Sequence, residues 1–402
     1  FIRAPPAPLP SAMTVSLWRR TNRLGTLRCD CLVVGAGICG ISAALHLRRR
    51  GLSVIVVERD RLGSGASTRN AGFLMRGCAD NYALAAREYG RDRARALWKL
   101  TEDNLAGLRR EGIESLPGVR NVPSVLLALR EVEHDELRES VSMMTEDGFQ
   151  VSWQERGEDS AWRSGVCLGG LVNPGDASCN SREVMEHLRT TLLERESRGA
   201  CVLHEGQEVF DIRDDGGRVV THTTDAEVTS SHAIVCTNAY VPLLLPQFEG
   251  VITPRRGQMF ALRPGTVQLD ASYYANRGSE YFRQAATGEV VVGGCRTYHA
   301  DREVGYEDRT TPWVQRDLER FASLMFSMSE RDIHANITAR WAGTMGFSPT
   351  GLPIISPVTG TSNRVWFCGG FTGHGMSMAY RTSEIASGVM LEGRENPFEV
   401  AE

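Results

Sequence analysis

The stretch that most limits what this chain can fold into is Cys31–Asp60, CLVVGAGICGISAALHLRRRGLSVIVVERD. Leu32–Val34 is a short apolar run read as a buried strand, and Gly35-Ala36-Gly37-Ile38-Cys39-Gly40 follows it at once in the pattern G-x-G-x-x-G. Ile41, Ala44, Leu45 and Leu47 then recur at helical spacing up to Arg50 and Gly51, and Val54–Val57 is a second β-branched strand closed by Glu58. Each part has a physical task. Gly35 permits a tight turn, Gly37 lets the backbone approach a pyrophosphate, and Gly40 lets the helix lie close against the strand. The helix start offers unsatisfied N–H groups and a positive dipole end to phosphates. Glu58 stands 18 residues beyond Gly40, where a carboxylate can accept both hydroxyls of an adenosine ribose. A lone glycine motif says little, but strand, motif, helix, strand and acid in this order predict a dinucleotide site.

Composition narrows the rest. The 402 residues, 42% of them apolar, are enough for two intertwined domains with substantial cores. A net charge of −4 argues against nucleic acid or an anionic membrane as partner. Lys99 is the only lysine, so lysine chemistry is nearly excluded from any active site. The ten cysteines show neither a C-x-x-C pair nor zinc spacing, which reads as free thiols in a reducing cytoplasm. No apolar run approaches the roughly 18 residues needed to span a membrane, and no secretory apolar segment precedes the first strand. Phe1–Ala12 is rich in proline and alanine, precedes Met13, and is read as an extension apart from the fold.

Further along, Gly63–Gly72 (GSGASTRNAG) concentrates glycine, small hydroxyl residues, Arg69 and Asn70, a composition suited to facing an anion or a ring system. Helices are predicted over Asn81–Glu111, Glu131–Glu146, Ser181–Glu194, Pro312–Phe326 and Met376 to about Leu391. Strands are predicted at Ser124–Leu129, Val219–Thr223, His232–Thr237, Gly257–Leu262, Glu280–Gln284, Glu289–Gly293, Ile333–Ala342 and Val365–Cys368. Gly369–Gly375 (GGFTGHG) links the last strand to the last helix. The order predicts an α/β, Rossmann-like domain over 29–120, 165–252 and 343–402. Interleaved with it is an antiparallel-sheet substrate domain over 121–164 and 253–342, with 1–28 as a lead-in.

In this order the chain resembles the FAD-dependent D-amino-acid oxidase superfamily, which includes glycine oxidase, sarcosine oxidase and γ-glutamylputrescine oxidase. The resemblance rests on Gly35–Glu58, Gly63–Gly72, Ile234–Tyr240, Trp341–Pro353 and Trp366–Met378. It implies FAD held without a covalent bond, since no cysteine lies in Arg340–Pro353, where sarcosine oxidase attaches its flavin. The implied cofactor contacts are Gly35, Gly37, Ile38, Cys39 and Gly40; Glu58 and Arg59; and Ser67, Thr68, Arg69, Asn70, Ala71 and Gly72. Val209 and Thr237 join them, as do Gly370, Gly373, His374, Gly375 and Met376 from the last turn and helix.

The implied reaction is oxidation of a C–N bond in an amine or N-substituted amino acid. Hydride passes to flavin N5, the imine hydrolyses, and oxygen reoxidises the flavin to give hydrogen peroxide. His374, Arg296 and Trp341 are the candidate catalytic residues. Arg296 is the nearest cation to stand where sarcosine oxidase uses a lysine to activate oxygen. Thr344 and Met345 fill the region where glycine oxidase grips its substrate carboxylate with an arginine, which sets a simple α-amino acid held in that way in question. Tyr273, Tyr274, Tyr281, Trp341 and Phe347 are either core or the lining of an amine pocket. Asp301, Glu303, Glu307 and Asp308 form an acidic cluster that could attract a polyamine but reads first as a solvated loop. The alternatives to an oxidase are a flavin dehydrogenase with another electron acceptor and a non-catalytic FAD-containing assembly factor.

Overall fold

The computed structural model describes residues 24–78, 80–156, 165–194 and 199–398. The N-terminal extension and most of the lead-in lie outside them. Two eight-stranded sheets dominate.

In the first sheet the strands run Ile354–Pro357, Val365–Gly369, Ala226–Val235, Gly25–Val34, Val54–Val57 and Cys201–His204. A meander of Val209–Asp214 and Val219–Thr223 pairs onto Ala226–Val235. The four central pairings from Val365–Gly369 to Cys201–His204 are parallel, with Val34 level with both Val57 and Val235. Parallel strands are covered on both faces, and the alternation shows it. Val33, Val56, Ile234 and Cys368 pack toward Ile41, Ala44 and Leu45 of the helix Ile38–Arg49. Leu32, Val57, Val235 and Phe367 pack toward Val241, Leu245 and Phe248 on the other side.

The second sheet runs Ile337–Phe347, Thr253–Leu262, Val290–Gly294, Glu280–Gln284, Ser272–Ala275, Ser124–Ala128, Gly169–Asn173 and Ser152–Glu155. Its pairings are antiparallel except Ser272–Ala275 with Ser124–Ala128. Side-chain alternation gives it two different faces. Phe260, Tyr273, Phe282 and Val292 bury against Leu318, Phe321 and Met325 of the helix Pro312–Phe326. Met259, Tyr274, Tyr281 and Val291 face Ala71 and Phe73 instead. That second face looks toward the glycine-rich loop of the first sheet.

Several local expectations change. The first strand starts at Gly25, so Arg28 belongs to it rather than to a lead-in. The helix expected over Asn81–Glu111 is two, Tyr82–Tyr89 and Arg91–Arg110, broken where Gly90 takes φ +87°. Ile333 lies in a short helix, Glu330–Asn336, and the strand begins only at Ile337 and runs to Phe347. Gly169–Asn173 is a strand of the second sheet. The next strand, Ala177–Ser178, pairs with Phe73–Leu74 in a separate two-stranded sheet.

Candidate active site

The first strand delivers the glycine turn to the edge of a cavity of about 1400 Å³ between the two sheets. Pockets for a drug-sized molecule hold roughly 300–1,000 Å³, so this one has room for a dinucleotide and a substrate together. Its wall is built from both sides: Gly35, Glu58 and Ser67 come from the parallel sheet and its loops, while Tyr274, Tyr281 and Arg296 come from the other.

At the turn, packing explains the glycines. Gly35 takes φ +99°, and a Cβ there would lie 3.1 Å from the Cys236 carbonyl. A Cβ on Gly37 would stand 3.0 Å from Ser67 Oγ, and one on Gly40 only 1.8 Å from the Gly35 carbonyl oxygen. The Ile38 N–H donates to Ser67 Oγ at 2.9 Å, which ties the start of the helix to the glycine-rich loop. Gly37 supplies no side-chain cap and the first turn holds no acid, so the positive end of the helix is left for an anion. Glu58 accepts from the Ala36 N–H at 2.7 Å and the Asp60 N–H at 3.0 Å while lining the cavity. Burial raises its carboxyl above the usual range, and the two N–H groups partly offset this. A cradle that a Cβ would fill, a helix start with no acid in its first turn and a half-buried acid at the cavity edge are what a nucleotide diphosphate requires.

Most of the expected contact residues do converge. Gly35, Gly37, Ile38, Cys39, Glu58, Arg59, Ser67, Arg69, Asn70, Ala71, Gly72, Val209, Thr237, Gly373, His374, Gly375 and Met376 line the cavity, as does Arg296. Four of those named from the sequence stand behind the wall. Gly40 packs under the turn. The Thr68 hydroxyl donates to the Gly63 carbonyl. The Gly370 N–H donates to Asn238 Oδ1 at 2.9 Å. Trp341 donates its indole N–H to the Arg69 carbonyl at 3.2 Å, so it supports the loop and does not face the cavity.

His374 lies in the wall with Nδ1 3.1 Å from the Thr372 carbonyl. A carbonyl only accepts, so Nδ1 carries the proton and Nε2 keeps its lone pair. Burial lowers the pKa of the imidazole and favours its neutral form. Arg296 follows a left-handed Cys295 at the end of Val290–Gly294, and its guanidinium lies 4.5 Å over the Phe347 ring. Arg340, two strands away in the same sheet, points elsewhere, to Gln315 at 2.6 Å and to Glu319 at 2.5 Å. Lys99 is exposed and pairs with Glu102 and Asp103, far from any role in the wall.

Two features escape sequence reasoning. Asn238 takes φ +45° and uses its side chain to tie the loop after Val235 to Gly370. Glu303, expected in a solvated loop, is fully buried. It accepts from Arg256 at 2.7 Å, Gln258 at 2.7 Å, Thr311 at 2.9 Å and Trp313 at 3.0 Å. It pins the loop that carries Tyr306 and Asp308 to the cavity. Only the arginine pair Arg255-Arg256 hinted at a buried partner.

Comparison with known proteins fits this geometry. The family described as FAD dependent oxidoreductase (DAO) matches residues 30–387. A probable oxidoreductase OrdL of Rhizobium meliloti is 25% identical over 373 residues, covering 88% of this chain and 81% of that one. The γ-glutamylputrescine oxidoreductase of Escherichia coli is 24% identical over 415 residues, covering 93% and 86%. The crystal structure of glycine oxidase from Geobacillus kaustophilus superimposes with a TM-score of 0.75 at 21% identity, covering 93% and 97%, which shows a shared fold. No helix among the described residues is long and apolar enough to cross a membrane. With a family match over most of its length and a cavity shaped for the cofactor, this chain belongs to the FAD-dependent oxidoreductases of the DAO family, and it is an enzyme.

Proposed function

We propose that the protein oxidises the C–N bond of an amine or N-substituted amino acid with non-covalent FAD, using molecular oxygen as the final acceptor. The observation that carries this reading is the single cavity shared by the glycine turn and the tyrosine-lined face of the second sheet. Bound FAD supplies the chemistry, accepting two electrons from the carbon next to nitrogen and returning them to oxygen as hydrogen peroxide. Gly35, Gly37 and the start of the first helix would hold the pyrophosphate, Glu58 the ribose, and Ser67–Gly72 with Gly373–Met376 the ring system.

The chain's own groups do the rest. His374 offers Nε2 as a neutral proton acceptor for the substrate ammonium, so that the amine presents a lone pair. Arg296 holds fixed positive charge at the wall, which favours charge developing on oxygen. Tyr274, Tyr281 and Phe73 shape an aromatic wall that orients the carbon and excludes water. Trp341 keeps the Arg69 carbonyl in register. The thiols that reach the wall, Cys39 and Cys236, are buried; the hydrogen bond with Cys236, with burial behind it, pushes Cys39 up, and burial pushes Cys236 up against the lowering bond from Cys39, both away from the reactive thiolate, which favours a non-covalent flavin. Unpaired thiols at Cys39, Cys236 and Cys368 also suit a reducing compartment, and the reading places the enzyme in the cytoplasm.

The test is anaerobic addition of amines and amino acids to the purified yellow protein, followed by air. Bleaching by one compound and peroxide release on reoxidation are the expected results. Bleaching without peroxide would move the reading to a dehydrogenase with another acceptor.

A further inference from the structure

Behind the loop Ser67–Gly72 stands a buried cation with no carboxylate beside it. Arg283 lies on the strand Glu280–Gln284, two residues beyond Tyr281 and so on the same face of the second sheet. It is 5% exposed and is not part of the cavity wall. Its guanidinium reaches across to the loop instead. Nε donates to the Ala71 carbonyl, Nη2 to the Cys179 carbonyl at 2.7 Å and Nη1 to the Gln284 carbonyl at 3.3 Å. Gly72 makes room for this contact: it takes φ +74°, and a Cβ there would lie 2.5 Å from Arg283 Nη2. The Cys179 N–H in turn donates to the Gly72 carbonyl at 2.8 Å. One guanidinium thus joins the second sheet, the loop and the pair of strands Phe73–Leu74 and Ala177–Ser178.

All three acceptors are neutral carbonyls. Among the described residues Arg283 forms no ion pair, and the charged side chain nearest in effect is a second cation, Arg120, which donates to the same Gln284 carbonyl at 2.7 Å. Other buried guanidinium groups are matched. Arg256 has Glu303 at 2.7 Å and Arg76 has Glu102 at 2.7 Å. Arg48 has the Leu192 and Glu194 carbonyls at the negative end of the helix Ser181–Leu193. Arg283 stands at the opposite end of that helix, on the carbonyl two residues before Ser181, where the dipole is positive. Glu183, in the first turn there, is held by the Gly118 N–H at 2.8 Å and Asn180 at 3.0 Å. A buried charge without a counter-charge is costly, and arginine does not shed its proton to escape. Negative charge arriving on the cavity side of Ala71 and Gly72 would compensate it. Reduction brings such a charge: a hydride, two electrons and one proton, leaves the flavin with one negative charge more than before.

We propose that Arg283 is the positioning residue of the loop Ser67–Gly72 and the buried counter-charge for the reduced cofactor. It fixes Ala71 and Gly72 against the ring system and favours the state that carries the added electrons. This rests on the placement of the ring against Ser67–Gly72 proposed above, and is independent of the compound oxidised.

The experiment is a redox titration of the FAD-loaded protein with dithionite against reference dyes, in saturating FAD. The flavin absorbance band, FAD affinity and melting temperature are recorded for each variant. Arg283→Gln removes the charge and the fork. It should shift the band, weaken FAD about 10-fold and lower the equilibrium constant for reduction about tenfold, about 30 mV for two electrons. Arg283→Lys keeps the charge without the fork. It should shift the band and weaken FAD, yet hold the reduction constant within about threefold of the parent. An Arg283→Gln protein that melts lower but keeps the parent band and reduction constant would make the residue merely structural and overturn the proposal. An equal tenfold fall in both variants would overturn the counter-charge. If Arg283→Gln does not fold, Arg283→Lys decides: a shifted band with the reduction constant held supports the proposal, and a parent-like band or a tenfold fall overturns it. Asn70→Ala separates this inference from the ring placement, because Asn70 Oδ1 accepts from the Gly72 N–H at 2.8 Å. A band moved by Asn70→Ala and not by Arg283→Gln would refute the role of Arg283 and leave the placement standing. A band moved by neither would refute the placement itself.

Discussion

Gly40→Ala is the substitution that most sharply probes the glycine turn. Gly40 has ordinary helical geometry, so the demand for glycine here is steric and not conformational. An added Cβ would lie 1.8 Å from the Gly35 carbonyl oxygen, 3.0 Å from its carbon and 3.3 Å from Val33 Cγ1. Real contacts of this kind do not come below 3.0 Å, so the turn and the helix have to separate by at least 1.2 Å. The clash is backbone against a new Cβ, with no flexible side chain to yield. Overpacking costs about 1–3 kcal/mol, and this site belongs at the upper end. The same shift displaces the first-turn N–H groups from the cavity edge. If about 3 kcal/mol is lost from the holo form alone, FAD affinity falls roughly 150-fold. The assay is FAD titration of the apoprotein, with thermal melting beside it. Gly217→Ala is the control, since a Cβ there meets nothing within 4 Å and its φ is not positive. An alanine at 40 that binds FAD with the parent affinity and melts within about 1 °C of it would refute the reasoning.

Three further outcomes are expected. Glu58→Ala removes an acceptor of two backbone N–H groups and the expected ribose contact, and should weaken FAD by about 10- to 100-fold in the same titration. Glu303→Ala leaves Arg256 buried without its carboxylate and should cost about 3–5 kcal/mol in urea unfolding. His46, which donates Nε2–H to the Tyr380 carbonyl, has its pKa lowered by burial to about 4, and burial lowers His374 as well. The unfolded chain therefore takes up more protons below about pH 6.5. Their contribution to stability is whole above that pH and is lost as pH falls toward 4. Melting temperatures should drop over that window, and His46→Gln should show a shallower acid slope.

Much of the first sheet could be read from sequence because its signals are local. Strand, glycine turn, helix and acid sit within one continuous stretch; Gly40 is explained by contacts inside it, while Gly35 and Gly37 are also held by Cys236 and Ser67 from outside. Pro312–Phe326 and Glu131–Glu146 came out with their limits because amphipathic spacing and end signals agree. What failed depends on distant partners. Nothing near Glu303 in the chain marks it as buried; its four partners come from Arg256 and Gln258 on one strand and Thr311 and Trp313 at a helix start. Gly90 stands amid good helix formers, and only its positive φ splits the helix. For Trp341, a catalytic candidate also weighed as core, alternation along an eleven-residue strand gives its face but not what lies over it, which is the Arg69 carbonyl. The tyrosine pairs divide in the same way. Tyr273 goes to the core and Tyr274 to the cavity, a choice set by sheet register.

The most direct measurement is the visible spectrum of the purified protein under anaerobic titration with N-methylglycine, other amino acids and simple amines. Loss of the flavin band with an amine or amino acid, restored by air with release of hydrogen peroxide, is the predicted result. A yellow protein whose band no amine or amino acid diminishes, while dithionite still reduces it, would contradict the proposed oxidation of a C–N bond.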